Sequence, residues 1–226
     1  MTQIYGLPKP LDLPTFEAAL ANLERVPELL YRGLEYGAYK TSAYRDAEFP
    51  EKRLDPGLSA SMLRAHAIEF LQKEGLDARP DKCHWKFNDL PFLGISFYFN
   101  GYHVRVLKGP DGVMPGCGRS TRKKRFYRQV ANSYLIGTTI MRSTANLIVL
   151  WDFAQGYSLC QLWLALPANG GERPKDVSAY WCEPLTHPAE QSVPVTQPTP
   201  TDDGLDDMIK TKDVAAGQAK RSSGAR

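Results

Sequence analysis

The feature that most constrains the fold is an Asn-Gly pair between two alternating strands. Asn100 and Gly101 lie at the centre of residues 94–108, where apolar and polar side chains alternate. Asn-Gly favours a type I′ turn, because both residues accept the positive φ that matches the twist of the strands. A two-residue turn fixes the register of the hairpin. The predicted pairs on its apolar face are Phe99 with Tyr102, Phe97 with Val104, and Ile95 with Val106.

The opposite face of this hairpin is polar. Tyr98 lies across from His103, and Ser96 lies across from Arg105. A cluster of Tyr98, His103 and Arg105 could bind an anion or carry out acid–base chemistry. The alternative is a sheet face covered by a helix. We favour it because no carboxylate lies near His103 in the sequence to orient the imidazole ring.

Helical periodicity precedes the hairpin. Thr15 is a good N-cap for a first helix. Pro27 either ends that helix or begins a second one. Residues 41–58 are typical of a loop, and Ser59 opens the clearest helix in the chain. Gly75 is expected to end it.

Further strands are predicted on both sides of the hairpin. Aromatic and β-branched residues with a period of two begin at Cys83 and indicate a strand. A second hairpin is predicted for residues 146–166, around Gln155 and Gly156. Both of its faces are apolar, so its strands should be central and covered on both sides. A final short strand is expected at 177–181.

The composition limits the fold class. The chain has 226 residues, of which 42% are hydrophobic and 23% charged, which excludes a collagen, a coiled coil or wholesale disorder. No apolar run approaches the roughly 20 residues of a membrane span. We expect an α+β fold with N-terminal helices packed on a mainly antiparallel sheet of about five strands. The predicted organisation is an extended lead-in (1–14), one domain (15–187) and a disordered tail (188–226).

The cysteines indicate neither a disulfide framework nor a metal site. Cys83, Cys117, Cys160 and Cys182 form no CxxC pair, and no signal peptide precedes them. Reduced thiols in a cytoplasmic protein are the simplest interpretation. Cys83 and His84 are adjacent on a strand and point to opposite faces, which argues against a shared zinc ion with His103 and Cys117. We expect no metal and no cofactor.

The strongest candidate site is a basic segment between the two predicted hairpins. Six cations and no acid lie within residues 119–128. Ser120 is a good N-cap for a short helix, and such a helix start can bind an anion. Cations neutralise phosphates, and interleaved aromatic rings can stack on unpaired bases. The candidate residues for binding a nucleic acid or another anion are Gly118, Arg119, Ser120, Arg122, Lys123, Lys124, Arg125, Tyr127 and Arg128.

This segment also has simpler interpretations. It could be a solvated basic helix that pairs with acids elsewhere, or one that docks on an acidic partner protein. Gly116 and Gly118 could be turn residues only. The segment lacks the GxxxxGK[ST] pattern of a P-loop.

Catalytic motifs are missing from the sequence. A metal-dependent nuclease needs an Asp and then an acid-x-Lys strand to hold Mg²⁺. Asp89, Asp111 and Asp152 do not have that spacing, and the strand from His103 to Lys108 carries no acid. The GxSxG pattern of hydrolases is absent as well. We therefore predict no catalytic residue.

Two segments together resemble a group of actinobacterial proteins. In that group a hairpin precedes a "PGRS"-type basic segment and an "NLxVLWD" strand follows. The matching residues here are 115–120, with a residue pair inserted before Arg119, and 146–152. The resemblance covers about residues 85–170. Members are often encoded beside helix-turn-helix proteins or zinc-peptidase-like regulators, which implies a partner protein in a two-gene module and no catalytic residue.

These observations favour a non-enzymatic binding protein. The resemblance implies the accessory or antitoxin-like member of a regulatory or defence pair, with residues 119–128 contacting an acidic partner or a nucleic acid. The alternative is an enzyme acting on a nucleic acid or a phosphorylated ligand, with the basic segment as phosphate clamp and His103 or an Asp transferring a proton. A structural subunit with a solvated basic surface is a third hypothesis. No membrane partner is expected, and the sequence leaves the oligomeric state open.

Overall fold

The computed structural model describes residues 12–49, 54–74, 83–85, 94–131, 133–136, 139–153, 159 and 161–188. The chain divides into a unit of residues 1–191 and one of residues 192–226, and every described residue belongs to the first. Several predictions lie outside the described residues. They concern most of the lead-in, Gly75, the turn at Gln155 and Gly156, and the tail beyond residue 188.

The described elements form an α+β fold, as predicted. The helices are α1 (Phe16–Leu23), α2 (Val26–Glu48), α3 (Pro56–Lys73) and α4 (Thr121–Tyr127). The strands are β1 (Cys83–Trp85), β2 (Ile95–Phe99), β3 (Tyr102–Lys108), β4 (Ser133–Ile136), β5 (Thr139–Arg142), β6 (Ala145–Trp151), β7 (Trp163–Asn169) and β8 (Ser178–Pro184). Within the described part of the chain, no helix is long and apolar enough to cross a membrane.

The main sheet has six strands in the order β1-β2-β3-β6-β7-β8. Every neighbouring pair is antiparallel except β3 and β6, which are parallel. The sheet is therefore mainly antiparallel, as predicted, with six strands rather than about five. Strands β4 and β5 form a separate hairpin within the connection from β3 to β6.

The central hairpin has the predicted register. Phe99 pairs with Tyr102, and Tyr98 pairs with His103. Asn100 has φ 45° and Gly101 has φ 83°, so both turn residues occupy the left-handed region. That geometry is the one that a type I′ turn requires. All five residues of β2 are buried, which holds the register because a slip of one residue would exchange the two faces.

The three N-terminal helices differ from the prediction mainly at their boundaries. The Thr15 hydroxyl accepts a hydrogen bond from the Ala18 N–H and caps α1, and Pro27 lies in the first turn of α2. The prediction of a loop over 41–58 is wrong, because α2 continues to Glu48 and α3 begins at Pro56. Asp55, rather than Ser59, caps α3 by accepting from the N–H groups of Gly57 and Leu58 at 2.8 and 3.0 Å.

The sheet is covered on both faces. Leu147 and Val149 of β6 belong to one apolar cluster with buried residues of α1, α2 and α3. Ile148 and Leu150, which alternate with them, belong to a second cluster with Phe126 and Tyr127 of α4. The expectation that β6 is a central strand buried on both faces is confirmed.

Candidate anion-binding site

The predicted basic helix is present as α4, and it is short. The Ser120 hydroxyl accepts a hydrogen bond from the Lys123 N–H at 3.3 Å and caps the first turn. The helix ends at Tyr127, and Gln129 beyond it takes a positive φ of 58°. With only seven residues and a capped start, α4 contributes mainly through its side chains.

Most cations of the basic segment face solvent. Five of the six are exposed, and the sixth, Lys124, is half-buried with its Nζ 3.4 Å from a carboxylate oxygen of Glu172. Arg128 Nε donates to the side-chain carbonyl of Asn169 at 3.3 Å. Among the described residues, only Lys124 of the six forms an ion pair. The interpretation that the segment pairs with acids elsewhere therefore applies to this one residue.

The two aromatic residues of α4 are buried. Phe126 is 2% exposed and Tyr127 is 1% exposed. The Tyr127 hydroxyl donates to the Pro115 carbonyl at 2.8 Å, and burial raises the pKa of that hydroxyl. The prediction that these rings stack on bases is wrong, because both pack against the sheet in the second core cluster. Tyr127 is therefore not a ligand-contact residue.

The glycines of the basic segment have structural roles. Gly118 takes a φ of +56°, and its N–H donates to the Glu172 carbonyl at 3.2 Å. A Cβ at Gly116 would overlap the backbone of Glu172 and Arg173. The prediction that Gly118 presents its backbone to an anion is wrong, because that N–H already has a partner in the fold.

The polar residues of the central hairpin do lie together, underneath α4. The Tyr98 and His103 rings stack with centroids 4.3 Å apart, and the Ser96 hydroxyl lies 2.8 Å from His103 Nε2. The Arg105 guanidinium lies over the Phe126 ring, with Cζ 4.8 Å from the centroid. His103 is 5% exposed and Arg105 is 7% exposed. This face is thus covered by a helix, the alternative that the sequence favoured.

The hairpin and the basic helix meet at a cavity of about 470 Å³. It lies where β2 begins and β3 ends, and α3 and α4 both reach it. Five of its described lining residues are cations and none is an acid. The cations are Arg64, Arg105, Lys108, Arg122 and Lys123. The remaining described lining residues are Gly94, Ile95, Val106, Leu107 and Ser120.

Two members of this cavity were missed by sequence reasoning. Lys108 lies at the end of β3, where its Nζ is 3.4 Å from a carboxylate oxygen of Asp152. Arg64 lies on α3, four residues from both Ala60 and Ile68, which are buried. Arg64 thus interrupts a row of apolar residues on one face of the helix, and this interruption could have identified it from the sequence.

Most of the positive charge of the cavity has no ion-pair partner among the described residues. Burial lowers the pKa of the Arg105 guanidinium, and the nearby Arg122 cation lowers that pKa further. Burial also lowers the pKa of Arg64. The Nε atoms of Arg64 and Arg105 are buried and have no hydrogen-bond partner in the part of the chain that is described. Arginine stays protonated in proteins, so both groups are charged donors that an anion could satisfy.

Metal chemistry has no support among the described residues. They contain no group of three or more His, Cys, Asp or Glu side chains that could hold a metal ion. Asp152 pairs with Lys108, and Asp111 is exposed in a turn. Asp89 and the Cys83 side chain lie outside the part of the chain that is described. The charged side chains described at the cavity are cations, which attract anions and repel metal ions.

The resemblance to the actinobacterial group stays a prediction. The chain was compared with protein-family models, with curated proteins and with solved structures, and none of them matches the chain.

Proposed function

We propose that this protein is a non-enzymatic binding protein that contacts a nucleic acid through α4 and the adjoining cavity. The observation that carries the proposal is the convergence of five cations, and no described acid, on one cavity beside an exposed basic helix. Cations that neutralise phosphates release the counterions condensed on a nucleic acid, and this release drives binding.

The chemistry of the cations suits phosphate groups, and the shape of the site favours a phosphate over an acidic protein surface. Three of the five are arginines, Arg64, Arg105 and Arg122. A guanidinium is planar, weakly hydrated and able to bind two phosphate oxygens at once, so it suits phosphate recognition. The site is also concave, whereas an acidic protein could bind to the exposed cations of α4 without entering the cavity.

Binding is favoured over catalysis by the position of His103. Its ring lies against Tyr98 and edge-on to Phe126, with the His103 and Phe126 centroids 4.9 Å apart. It is not among the described residues that line the cavity. A proton-transfer group must reach its substrate within hydrogen-bond distance, and His103 is covered by α4. The accessory role in a two-gene module remains a proposal from the resemblance.

The first test is a binding titration at two salt concentrations. Single- and double-stranded DNA and RNA are titrated with the wild-type chain and with a triple variant, Arg122→Ala, Lys123→Ala and Arg125→Ala. These three cations are exposed and form no ion pair among the described residues. We expect weaker binding by the variant and a salt slope reduced by about one unit for each phosphate that the variant no longer neutralises.

A matched control replaces three cations on or beside helices α2 and α3 with alanine instead. Arg25, Lys40 and Lys73 are exposed on or beside α2 and α3, so the change in net charge is the same. We expect this control to bind like the wild type. Failure of the wild-type chain to bind any of the four nucleic acids at low salt would overturn the proposal and favour an acidic partner protein.

A further inference from the structure

The cations of the cavity come from three separate elements. Arg64 comes from α3, Arg105 and Lys108 from β3, and Arg122 and Lys123 from α4. A stripe of cations along one helix would follow the outside of a nucleic-acid backbone. Cations that converge on a concave space instead favour a group small enough to enter it. The internal phosphates of a duplex lie on a convex rod, whereas the end of a chain can enter a cavity.

Arg105 is the most constrained of these cations. It is only 7% exposed, and its guanidinium is held over the Phe126 ring. Its Nε has no hydrogen-bond partner among the residues that the structure describes. A buried charged donor without an acceptor is unfavourable, so a ligand oxygen that reaches this guanidinium would gain a strong, charge-assisted hydrogen bond.

The charge of the cavity suits a group with several negative charges. Among the described residues, only one of the five cavity cations forms an ion pair, namely Lys108 with Asp152. The other four are Arg64, Arg105, Arg122 and Lys123. A terminal phosphate carries more charge than an internal one and offers three acceptor oxygens. A cavity of about 470 Å³ falls within the range for small-molecule sites, which is several times the space that a lone phosphate needs.

We propose that this cavity binds a terminal phosphate group, at the end of a nucleic-acid strand. The inference rests on the proposed function and names the part of the nucleic acid that the cavity recognises. The same chemistry could come from a free nucleoside polyphosphate. A strand end is favoured because Arg119, Arg125 and Arg128 are exposed on or beside α4 and are not among the residues described as lining the cavity. These cations can hold the phosphates that follow the first.

The test compares single-stranded RNA oligonucleotides of one sequence that differ only in their end groups. Fluorescence anisotropy at fixed ionic strength measures the affinity for forms with a 5′-triphosphate, a 5′-monophosphate, a 3′-phosphate or hydroxyl groups at both ends. An oligonucleotide one nucleotide longer, with hydroxyl ends, controls for the added charge. We expect the forms with a terminal phosphate to bind about tenfold or more tightly than the hydroxyl form, the equivalent of one good charge-assisted contact.

Two variants of the cavity report on the same preference. Arg105→Met keeps an apolar side chain of similar length over Phe126 and removes the charge. Arg64→Gln changes a half-buried cavity residue on a different element, α3, so it keeps the test valid if Arg105→Met fails to fold. Each is expected to remove most of the preference for a terminal phosphate. Arg125→Gln, outside the described cavity lining, should weaken all the forms by a similar factor.

The outcomes separate this inference from the proposed function. Equal affinity for the phosphorylated and hydroxyl forms would overturn the inference and leave nucleic-acid binding intact. Binding of ATP or GTP that is abolished in Arg105→Met, with no binding of any RNA or DNA, would support a phosphate cavity for a free nucleotide and overturn the proposed function. Failure of the RNA, the DNA and both nucleotides to bind would overturn both.

Discussion

Two buried thiols show how strongly position changes a residue's chemistry. Cys117 is almost fully buried, and burial raises the pKa of its thiol. Cys182 is partly buried beside the Gly112 carbonyl, to which its thiol donates at 3.4 Å. Burial raises the pKa of Cys182 to about 12. Because the thiolate is the reactive form, both thiols should be inert at neutral pH.

The raised pKa of Cys182 predicts a loss of stability in alkali. An unfolded cysteine releases its proton near pH 8.5, whereas the folded thiol keeps its proton until about pH 12. The stabilising effect is therefore complete below about pH 8.5 and falls as the pH rises toward 12. The expected slope is up to about 1.4 kcal/mol per pH unit. Urea unfolding between pH 8 and pH 11 measures it.

Cys182→Ala provides the comparison, because other groups also titrate in this range. The difference in unfolding free energy between the wild type and Cys182→Ala should shrink as the pH rises. A difference that stays constant from pH 8 to pH 11 would show that the thiol titrates alike in the folded and unfolded chains.

At the scale of single residues, sequence reasoning identified charge better than accessibility. It placed Arg122 and Lys123 correctly as exposed cations of a short helix. It placed Tyr127 wrongly on the ligand-binding surface, because the face that α4 turns to the sheet depends on contacts distant in the sequence. For the same reason it left Arg64, whose helix was predicted, out of the site.

At the scale of elements, close packing of α2 on α3 depends on glycine. A Cβ at Gly37 would overlap the Leu63 carbonyl oxygen and approach the Ala67 nitrogen at 3.2 Å. Backbone atoms cannot move aside as side chains do. The Thr41 hydroxyl, one turn later, donates to the Gly37 carbonyl at 2.7 Å and stays within the helix.

Gly37→Ala is therefore expected to destabilise the fold. Alanine favours a helix by up to about 1 kcal/mol over glycine. The overlap with Leu63 should outweigh that gain and leave a net loss of roughly 1–3 kcal/mol. Gly33→Ala is the control, because its nearest atoms are Leu71 side-chain carbons at 3.1 and 3.2 Å, which can shift. Thermal unfolding should rank Gly37→Ala below Gly33→Ala, and an increase in stability for Gly37→Ala would contradict this packing.

Elements with local signals could be predicted, and those with distant partners could not. The Asn100-Gly101 turn carries its register in the sequence, so the pairing of β2 with β3 was predicted residue by residue. The second half of α2 has many exposed polar residues, a composition that is also typical of a loop, so its helical structure was not predicted. The parallel pairing of β3 with β6 has no local signal, because a long connection separates the two strands.

At the scale of the whole molecule, Asn146 joins α4 to the sheet. Its side-chain nitrogen donates to the carbonyls of Phe126 and Val130 at 3.0 and 3.1 Å. The Gln129 side chain donates to the Asn146 carbonyl and accepts from the Asn146 N–H. Asn146 begins the second of the two segments that carry the resemblance, and the fold brings it into contact with the helix that follows the first.

Asn146→Ala should weaken the packing of α4 on the sheet and leave the packing of α1, α2 and α3 on the opposite face unchanged. It leaves the Phe126 and Val130 carbonyls without this donor, at an expected loss of about 2–4 kcal/mol. Hydrogen exchange should speed up in α4 more than in α3. Asn22→Ala, at an exposed asparagine that donates to the Tyr102 hydroxyl at 3.1 Å, is the control. Uniform acceleration of both layers would contradict a local role for Asn146.

The candidate site itself was predicted in two separate parts. The sequence indicated the basic segment and the polar hairpin face as two candidate sites, and only the enzyme alternative combined them, through His103. The structure brings Arg105 of the hairpin together with Arg122 and Lys123 of the segment at one cavity. These three residues come together because the chain returns from β3 to β6 with α4 in the connection. Sequence patterns do not predict that path.

The parallel pairing of β3 with β6 also predicts the order in which the strands of the sheet pair during folding. Strands β1 to β3 pair with their neighbours in sequence, as do β6 to β8, so each half can form from contacts close along the chain. Joining the halves requires closure of the connection across residues 109–144, and distant contacts of this kind form slowly. Helix α4 lies within that connection. We therefore expect the part of the cavity that α4 contributes to form only once β3 has paired with β6, after both half-sheets.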